Sequence, residues 1–124
     1  MSKGRFSRQK GKRGERLCRD EITEQLGVPC RRGVQFAGGA GSPDVVILVT
    51  TTLHFEAKAV ERLNLHAAMA QSVEDAGENK LPLVWHKRSR EDSLLTMRMK
   101  DFASIAAEAV RLIAMTPKGD QCES

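Results

Sequence analysis

The stretch GSPDVVILVTTTLHFEAKA, Gly41 to Ala59, decides the reading of this chain. Residues 44–49, DVVILV, form a continuous apolar run headed by Pro43-Asp44, and predict a buried strand. TTT is a turn region. Residues 53–59, LHFEAKA, predict a second strand. Side chains alternate along a strand. Leu53, Phe55, Ala57 and Ala59 therefore share one face, and His54, Glu56 and Lys58 share the other. A short hairpin between the two runs brings Asp44 toward Glu56.

Two neighbouring carboxylates repel, and each raises the proton affinity of the other. A hard divalent cation removes the conflict. Mg²⁺ takes oxygen ligands, keeps several waters, and is commonly held by one or two carboxylates plus a substrate phosphate. Bound there, it activates water and neutralises charge on a phosphoryl group. Lys58, two residues from Glu56 on the same face, is placed to orient the water or to stabilise the developing negative charge. The bland alternative is a solvated strand face with Asp44 as an ordinary turn acid; the combination of residues favours the metal-site reading.

Outward from this segment, the order α-β-β-β-α-β-β-α emerges. A helix is predicted over residues 11–26 with Leu17, Ile22 and Leu26 on its apolar side, stopped by Gly27 and Pro29. A short strand covers 31–37, and GGAGSP is a loop that leads into Asp44. A helix over 64–78 carries Leu65, Met69, Val73 and Ala76. Strands follow at 81–88 and 93–99. The last helix bears a stripe of Phe102, Ile105, Ala106, Ala109, Leu112 and Ile113. Strands clustered before one crossover helix predict an α/β (α+β) fold with a mixed sheet and helices packed on it. Residues 1–10 are expected as a basic flexible arm, 11–115 as a single domain and 116–124 as a polar tail.

Composition bounds the function. The chain has 124 residues, 40% apolar and 29% charged, with no apolar run of membrane-spanning length. No signal peptide is read at its start, and a cytoplasmic location is expected. The three cysteines are widely spaced and lack a Cys-x-x-Cys pattern, which argues against a disulfide framework or a zinc site. Residues 1–16 hold seven basic residues against the single acid Glu15, while the chain as a whole carries only +4. Such a concentration suits a polyanion, or else a solvated terminus. Candidate phosphate contacts are Lys10, Lys12, Arg13, Arg31, Arg32, Ser42, Lys87 and Arg88. One Trp, four Phe and no Tyr leave little for base stacking, so backbone-directed recognition is expected. His54 is read as a structural or solvent-facing histidine. His66 and His86 lack partners at metal spacing. GGAG lacks the Gly-Lys-Ser/Thr that a P-loop requires.

Pro43-Asp44 and Glu56-Ala57-Lys58 match the signature of the PD-(D/E)xK nuclease superfamily, which this sequence resembles over roughly residues 10–99. Within it, KGKRGERL and FEAKA resemble motifs of the Holliday junction resolvases of archaea, Gram-positive bacteria and phages. The resemblance implies a restriction-endonuclease-like core of helix, three-stranded meander, crossover helix and further strand. It implies Asp44, Glu56 and the Ala57 carbonyl as ligands of Mg²⁺, with Mn²⁺ able to substitute. It adds Glu15 as a further acidic ligand, Lys58 as the catalytic lysine and Gln71 as a polar helix residue supporting the site. The function expected is a structure-selective DNA endonuclease of phage resolvase type, working in the host cytoplasm as a homodimer on four-way junctions. The alternatives are a nicking or flap nuclease without junction preference, a non-catalytic DNA-binding protein of the same fold, and an RNA-processing nuclease.

Overall fold

The computed structural model describes residues 3–33 and 43–115, with the backbone alone for 3–10. Its elements are α1 (Lys3–Leu26), β1 (Cys30–Arg32), β2 (Val45–Ile47), β3 (Leu53–Lys58), α2 (Leu65–Ala76), β4 (Leu81–His86), β5 (Leu94–Thr96) and α3 (Phe102–Met115), the last entered through a 3₁₀ turn at Met99–Asp101. The five strands form one mixed sheet in the order β1-β2-β3-β4-β5. Only β3 and β4 run parallel, with Leu53 opposite Leu81 and Lys58 opposite His86; the other neighbours are antiparallel. A parallel pair needs a crossover between its strands, and α2 supplies it. The fold is therefore α+β, with the element order that the hydrophobic patterning predicts.

α1 and α3 cover one face of the sheet. Cys18 and Ile22 of α1 and Ile105 and Leu112 of α3 join Val45, Ile47, Leu53, Phe55, Leu83 and Trp85 in one buried cluster. Fully burying a side chain such as Leu83 or Leu112 stabilises the fold by roughly 1.5–3 kcal/mol. The other face lies under α2, which packs on β3 and β4. Its closest line is Ala68, Ser72 and Ala76, buried against the side that carries Pro82 and Val84. Asn64 starts α2 by accepting a hydrogen bond from the Ala67 N–H at 3.1 Å. Gly27 ends α1 with φ 74°, a conformation that favours glycine, and its N–H reaches the Thr23 carbonyl at 2.8 Å.

Four expectations need correction. The basic segment expected as a flexible arm is helical from Lys3, because its Arg, Lys and Gln side chains are good helix formers and no proline interrupts them. Leu17 is 37% exposed while Cys18 is buried, so α1 sits rotated from the predicted stripe. α2 likewise turns its small residues to the sheet, leaving Leu65, Met69 and Val73 half-buried at its flanks; small side chains allow the closest helix–sheet approach. On α3, Phe102, Ala106 and Ile113 of the predicted stripe face solvent. The strand predicted over 31–37 is described only as far as Arg32. The loop before Pro43, including Ser42, and the tail 116–124 lie outside the described residues. Among the described residues no helix is long and apolar enough to cross a membrane.

Candidate active site

β3 occupies the centre of the sheet and carries the Glu56-Ala57-Lys58 motif at its C-terminal end. Both of its faces are covered. Leu53 and Phe55 join the α1/α3 core, and His54 and Glu56 are buried on the opposite, α2 side.

Asp44 reaches β3 from the next strand. Val45 stands opposite Phe55, which sets Asp44 beside Glu56. Its backbone is fixed from two sides: its N–H donates to the Phe55 carbonyl at 3.0 Å, and its carbonyl accepts from the Gly33 N–H at 2.8 Å. The second contact demands glycine, because a Cβ at position 33 would lie 2.0 Å from the Pro43 carbonyl oxygen. The Asp44 carboxylate accepts from the Ala57 N–H through Oδ2 at 2.8 Å. It also shares a hydrogen bond with the Glu56 carboxyl group. Burial first, then the charge of Glu56, push the Asp44 carboxyl up to about 7; the Ala57 N–H and the Lys58 ammonium pull it partly back.

Glu56 has a second partner. His54 Nε2 lies 3.1 Å from Glu56 Oε1, and both side chains are buried. His54, read from the sequence as structural or solvent-facing, thus touches the site directly. The spacing His-x-Glu on one strand was the available signal, since residues two apart share a face.

Glu15 arrives from α1. Gly14 lets that helix approach β3: a Cβ there would stand 2.7 Å from the Ala59 Cβ, one residue beyond Lys58. Arg32 Nε donates to Glu15 Oε1 at 3.2 Å. Burial first, and then the charge of Asp44, raise the Glu15 carboxyl, opposed by Arg32 and Lys12. Glu15 therefore feels Asp44 but is held by Arg32. Among the described residues no three His, Cys, Asp or Glu side chains form a preassembled metal cluster. Asp44 and Glu56 lie side by side as a carboxylate pair. For Ala57, the recorded contact is through its N–H. Two carboxylates pressed together beside a lysine fit a Mg²⁺ ion that takes its other ligands from water and phosphate.

The remaining candidates divide. Lys12, Arg13 and Arg31 are exposed. Lys10 is described in backbone only. Arg32 is engaged by Glu15, and Arg88 pairs with Glu91 at 3.0 Å. Lys87 Nζ donates to the Arg88 carbonyl at 3.3 Å. Gln71 is exposed and donates to Asp75 Oδ1 at 3.0 Å, one turn along α2, rather than to the carboxylate pair. A crevice of about 540 Å³, with an apolar floor and charged residues at Glu21, Glu24, Lys87, Glu91 and Asp92, opens on the other side of the sheet, between α1, β5 and α3; none of the site carboxylates lines it.

Comparison of the chain with family models, with curated proteins and with solved structures returns no match.

Proposed function

We propose that the chain is a Mg²⁺-dependent endodeoxyribonuclease of the PD-(D/E)xK kind, selective for branched DNA and most like a phage-type Holliday junction resolvase. The observation that carries this reading is the Asp44–Glu56 carboxylate pair beside Lys58. An acid pair held together at this cost in proton affinity has a use when a cation lies between the two groups. The element order of helix, three-stranded meander, crossover helix and strand agrees with the core that the sequence resemblance implies.

In this reading Asp44, Glu56 and the Ala57 carbonyl hold Mg²⁺, or Mn²⁺ in its place. The bound ion supplies Lewis-acid polarisation of phosphate and water. The chain's own residues do the rest. Lys58 orients the attacking water and stabilises the added negative charge at phosphorus. The water oxygen bonds to phosphorus and the bond from phosphorus to the 3′-oxygen breaks, leaving 5′-phosphate and 3′-hydroxyl ends. One water proton passes to solvent and the 3′-oxygen takes up another. His54 fixes the Glu56 carboxylate, and the Ala57 N–H fixes that of Asp44. The exposed Lys12 and Arg13 on α1, held close by the Gly14–Ala59 contact, grip the DNA backbone. Gln71 bonds Asp75 and is given no role in this reading.

The test is cleavage of a labelled immobile four-way junction beside a linear duplex of the same sequence, in Mg²⁺. Paired nicks on the junction alone support the reading. Equal cutting of both substrates keeps the nuclease and discards the junction preference. Junction binding without cutting in either Mg²⁺ or Mn²⁺ replaces it with a DNA-binding protein.

A further inference from the structure

The sheet ends at β5, and that end is open. β5 bonds to β4 on its inner side, with Leu95 opposite Trp85 and Thr96 opposite Val84. Among the described residues its outer side pairs with no other strand. Leu94 and Leu95 are 60% and 46% exposed there. An edge strand presents unpaired N–H and C=O groups to any extended chain that reaches it.

This edge borders the crevice between α1, β5 and α3. The floor is apolar, built from Ile22, Leu53, Phe55, Leu83 and Ile105. The volume of about 540 Å³ lies within the roughly 300–1,000 Å³ of sites that bury a ligand. The mouth is acidic: Glu21, Glu24, Glu91 and Asp92 line it against the single cation Lys87. Lys87 turns its ammonium to the Arg88 carbonyl at 3.3 Å, and Glu91 pairs with Arg88 at 3.0 Å. Glu21 accepts from two neutral donors, Trp85 Nε1 at 2.9 Å and Ser93 Oγ, which leave its charge in place. Among the described residues Glu24 and Asp92 have no ion-pair partner. In a chain of net charge +4, this local excess of carboxylate around an apolar floor selects a ligand that is cationic and partly apolar. The rim is also preformed. Ser89 donates through its N–H and Oγ to Glu61 Oε2 at 2.8 and 2.7 Å, and Arg90 holds φ 66° in the turn that leads to Asp92. A rim fixed before binding lowers the ordering cost of association.

We propose that the crevice and the β5 edge together dock an extended segment of another protein, with large apolar side chains at alternate positions and Lys or Arg at its ends. Its backbone adds beside β5 as a sixth strand. Every second side chain then points to the α1/α3 face of the sheet and enters the crevice. The flanking cations meet Glu24 and Asp92. DNA does not suit this place, because its carboxylates repel phosphate. Two segments of the chain itself outside the described residues fit poorly: VQFAGGAGS has no cation, and TPKGDQCES has no large apolar side chain. Glu21 and Glu24 sit at the end of α1 away from its basic first half, so a docked segment leaves those basic residues open. The docking does not depend on the nuclease reading.

Trp85 is the only tryptophan of the chain and lines the crevice, so its emission reports on the site. The full chain, without DNA or metal, is titrated with the tryptophan-free peptide RKLVLVKR. The comparison peptides are EELVLVEE, RKSGSGKR and an RKLVLVKR methylated on every backbone nitrogen of LVLV. The first is expected to give a saturable blue shift of Trp85 emission, and the other three to bind at least ~10-fold more weakly. Glu24→Lys combined with Asp92→Lys, both exposed, is expected to weaken RKLVLVKR at least ~10-fold, with far-UV dichroism unchanged. No saturable change with RKLVLVKR overturns the inference, as does equal binding of EELVLVEE or RKLVLVKR binding unchanged in the double variant. Equal binding of the methylated peptide also overturns it and assigns the crevice to a cationic amphiphile without strand pairing. A shift of Trp85 emission with protein concentration alone overturns it in favour of a second copy.

Discussion

Replacing Asp44 by Asn should stabilise the metal-free protein while removing its response to Mg²⁺. The amide keeps an oxygen for the Ala57 N–H, which donates to Oδ2 at 2.8 Å, and gains an NH₂ that can donate to Glu56. The carboxyl of Asp44 is raised from its ordinary 3.8 to about 7. Its folded-state value thus lies above that of the unfolded chain. The contribution of this group is fully present below pH 4 and is lost as pH rises toward 7. The difference of about three pH units sets an upper bound of about 4 kcal/mol, at 1.36 kcal/mol per unit. Local relaxation and water access at a half-buried carboxyl reduce this to about 1–3 kcal/mol. For a domain of this size that amounts to roughly 3–12 °C in melting temperature. Thermal melts in EDTA at pH 8 should show Asp44→Asn above wild type by that margin, and at pH 4.5 the gap should close. Millimolar Mg²⁺ should raise the wild-type midpoint at pH 8 and leave the variant unmoved. A variant that melts at or below wild type at pH 8, or a gap independent of pH, would refute the reasoning.

Gly33→Ala places a Cβ 2.0 Å from the Pro43 carbonyl oxygen. It should cost about 1–3 kcal/mol in urea unfolding. By displacing Asp44 it should also lower cleavage by at least ~10²-fold. Glu108 behaves oppositely to Asp44: Arg111 first, with Thr51 and Thr52, holds its carboxyl down to about 2, so its stabilisation is present above pH 4.5 and is lost as pH falls toward 2. Glu108→Gln should therefore melt several degrees lower than wild type at pH 7 and alike near pH 2, which scanning calorimetry would show. His54→Phe removes the 3.1 Å contact with Glu56 and should weaken Mn²⁺ binding by roughly 10–100-fold in a calorimetric titration. His54→Gln, which keeps a polar group there, should recover part of that loss.

The element order was legible because each long element carries its own period: continuous apolar runs in β2 and β4, and apolar spacing of three and four in the helices. Glu56 and Lys58 stood out as charges on a strand whose other face is apolar. What the sequence hid is the orientation of the helices. A hydrophobic stripe marks the largest side chains, but α2 meets the sheet along Ala68, Ser72 and Ala76, where small residues permit contact. That rotation leaves Gln71 on the exposed side with Asp75. Partnerships across distant segments were also invisible. Arg32 engages Glu15 seventeen residues away, and Trp85 donates to Glu21 at 2.9 Å across 64 positions. Arg32, a candidate phosphate contact or solvated strand end from the sequence, has in Glu15 an acid partner that the sequence did not reveal. The three-residue strands β1 and β5 are too short to show alternation, and β5, predicted over 93–99, spans only Leu94–Thr96.

The central claim is that phosphodiester hydrolysis depends on the acid pair and its lysine. It is tested most directly by single-turnover cleavage of a 5′-labelled four-way junction, titrated with Mg²⁺, for wild type, Glu56→Gln and Lys58→Met. The account predicts saturable Mg²⁺-dependent cutting by wild type and none by Glu56→Gln. It predicts a loss of at least ~10³-fold in Lys58→Met, with junction binding intact in all three. Cutting by Glu56→Gln or Lys58→Met at the wild-type rate would contradict it.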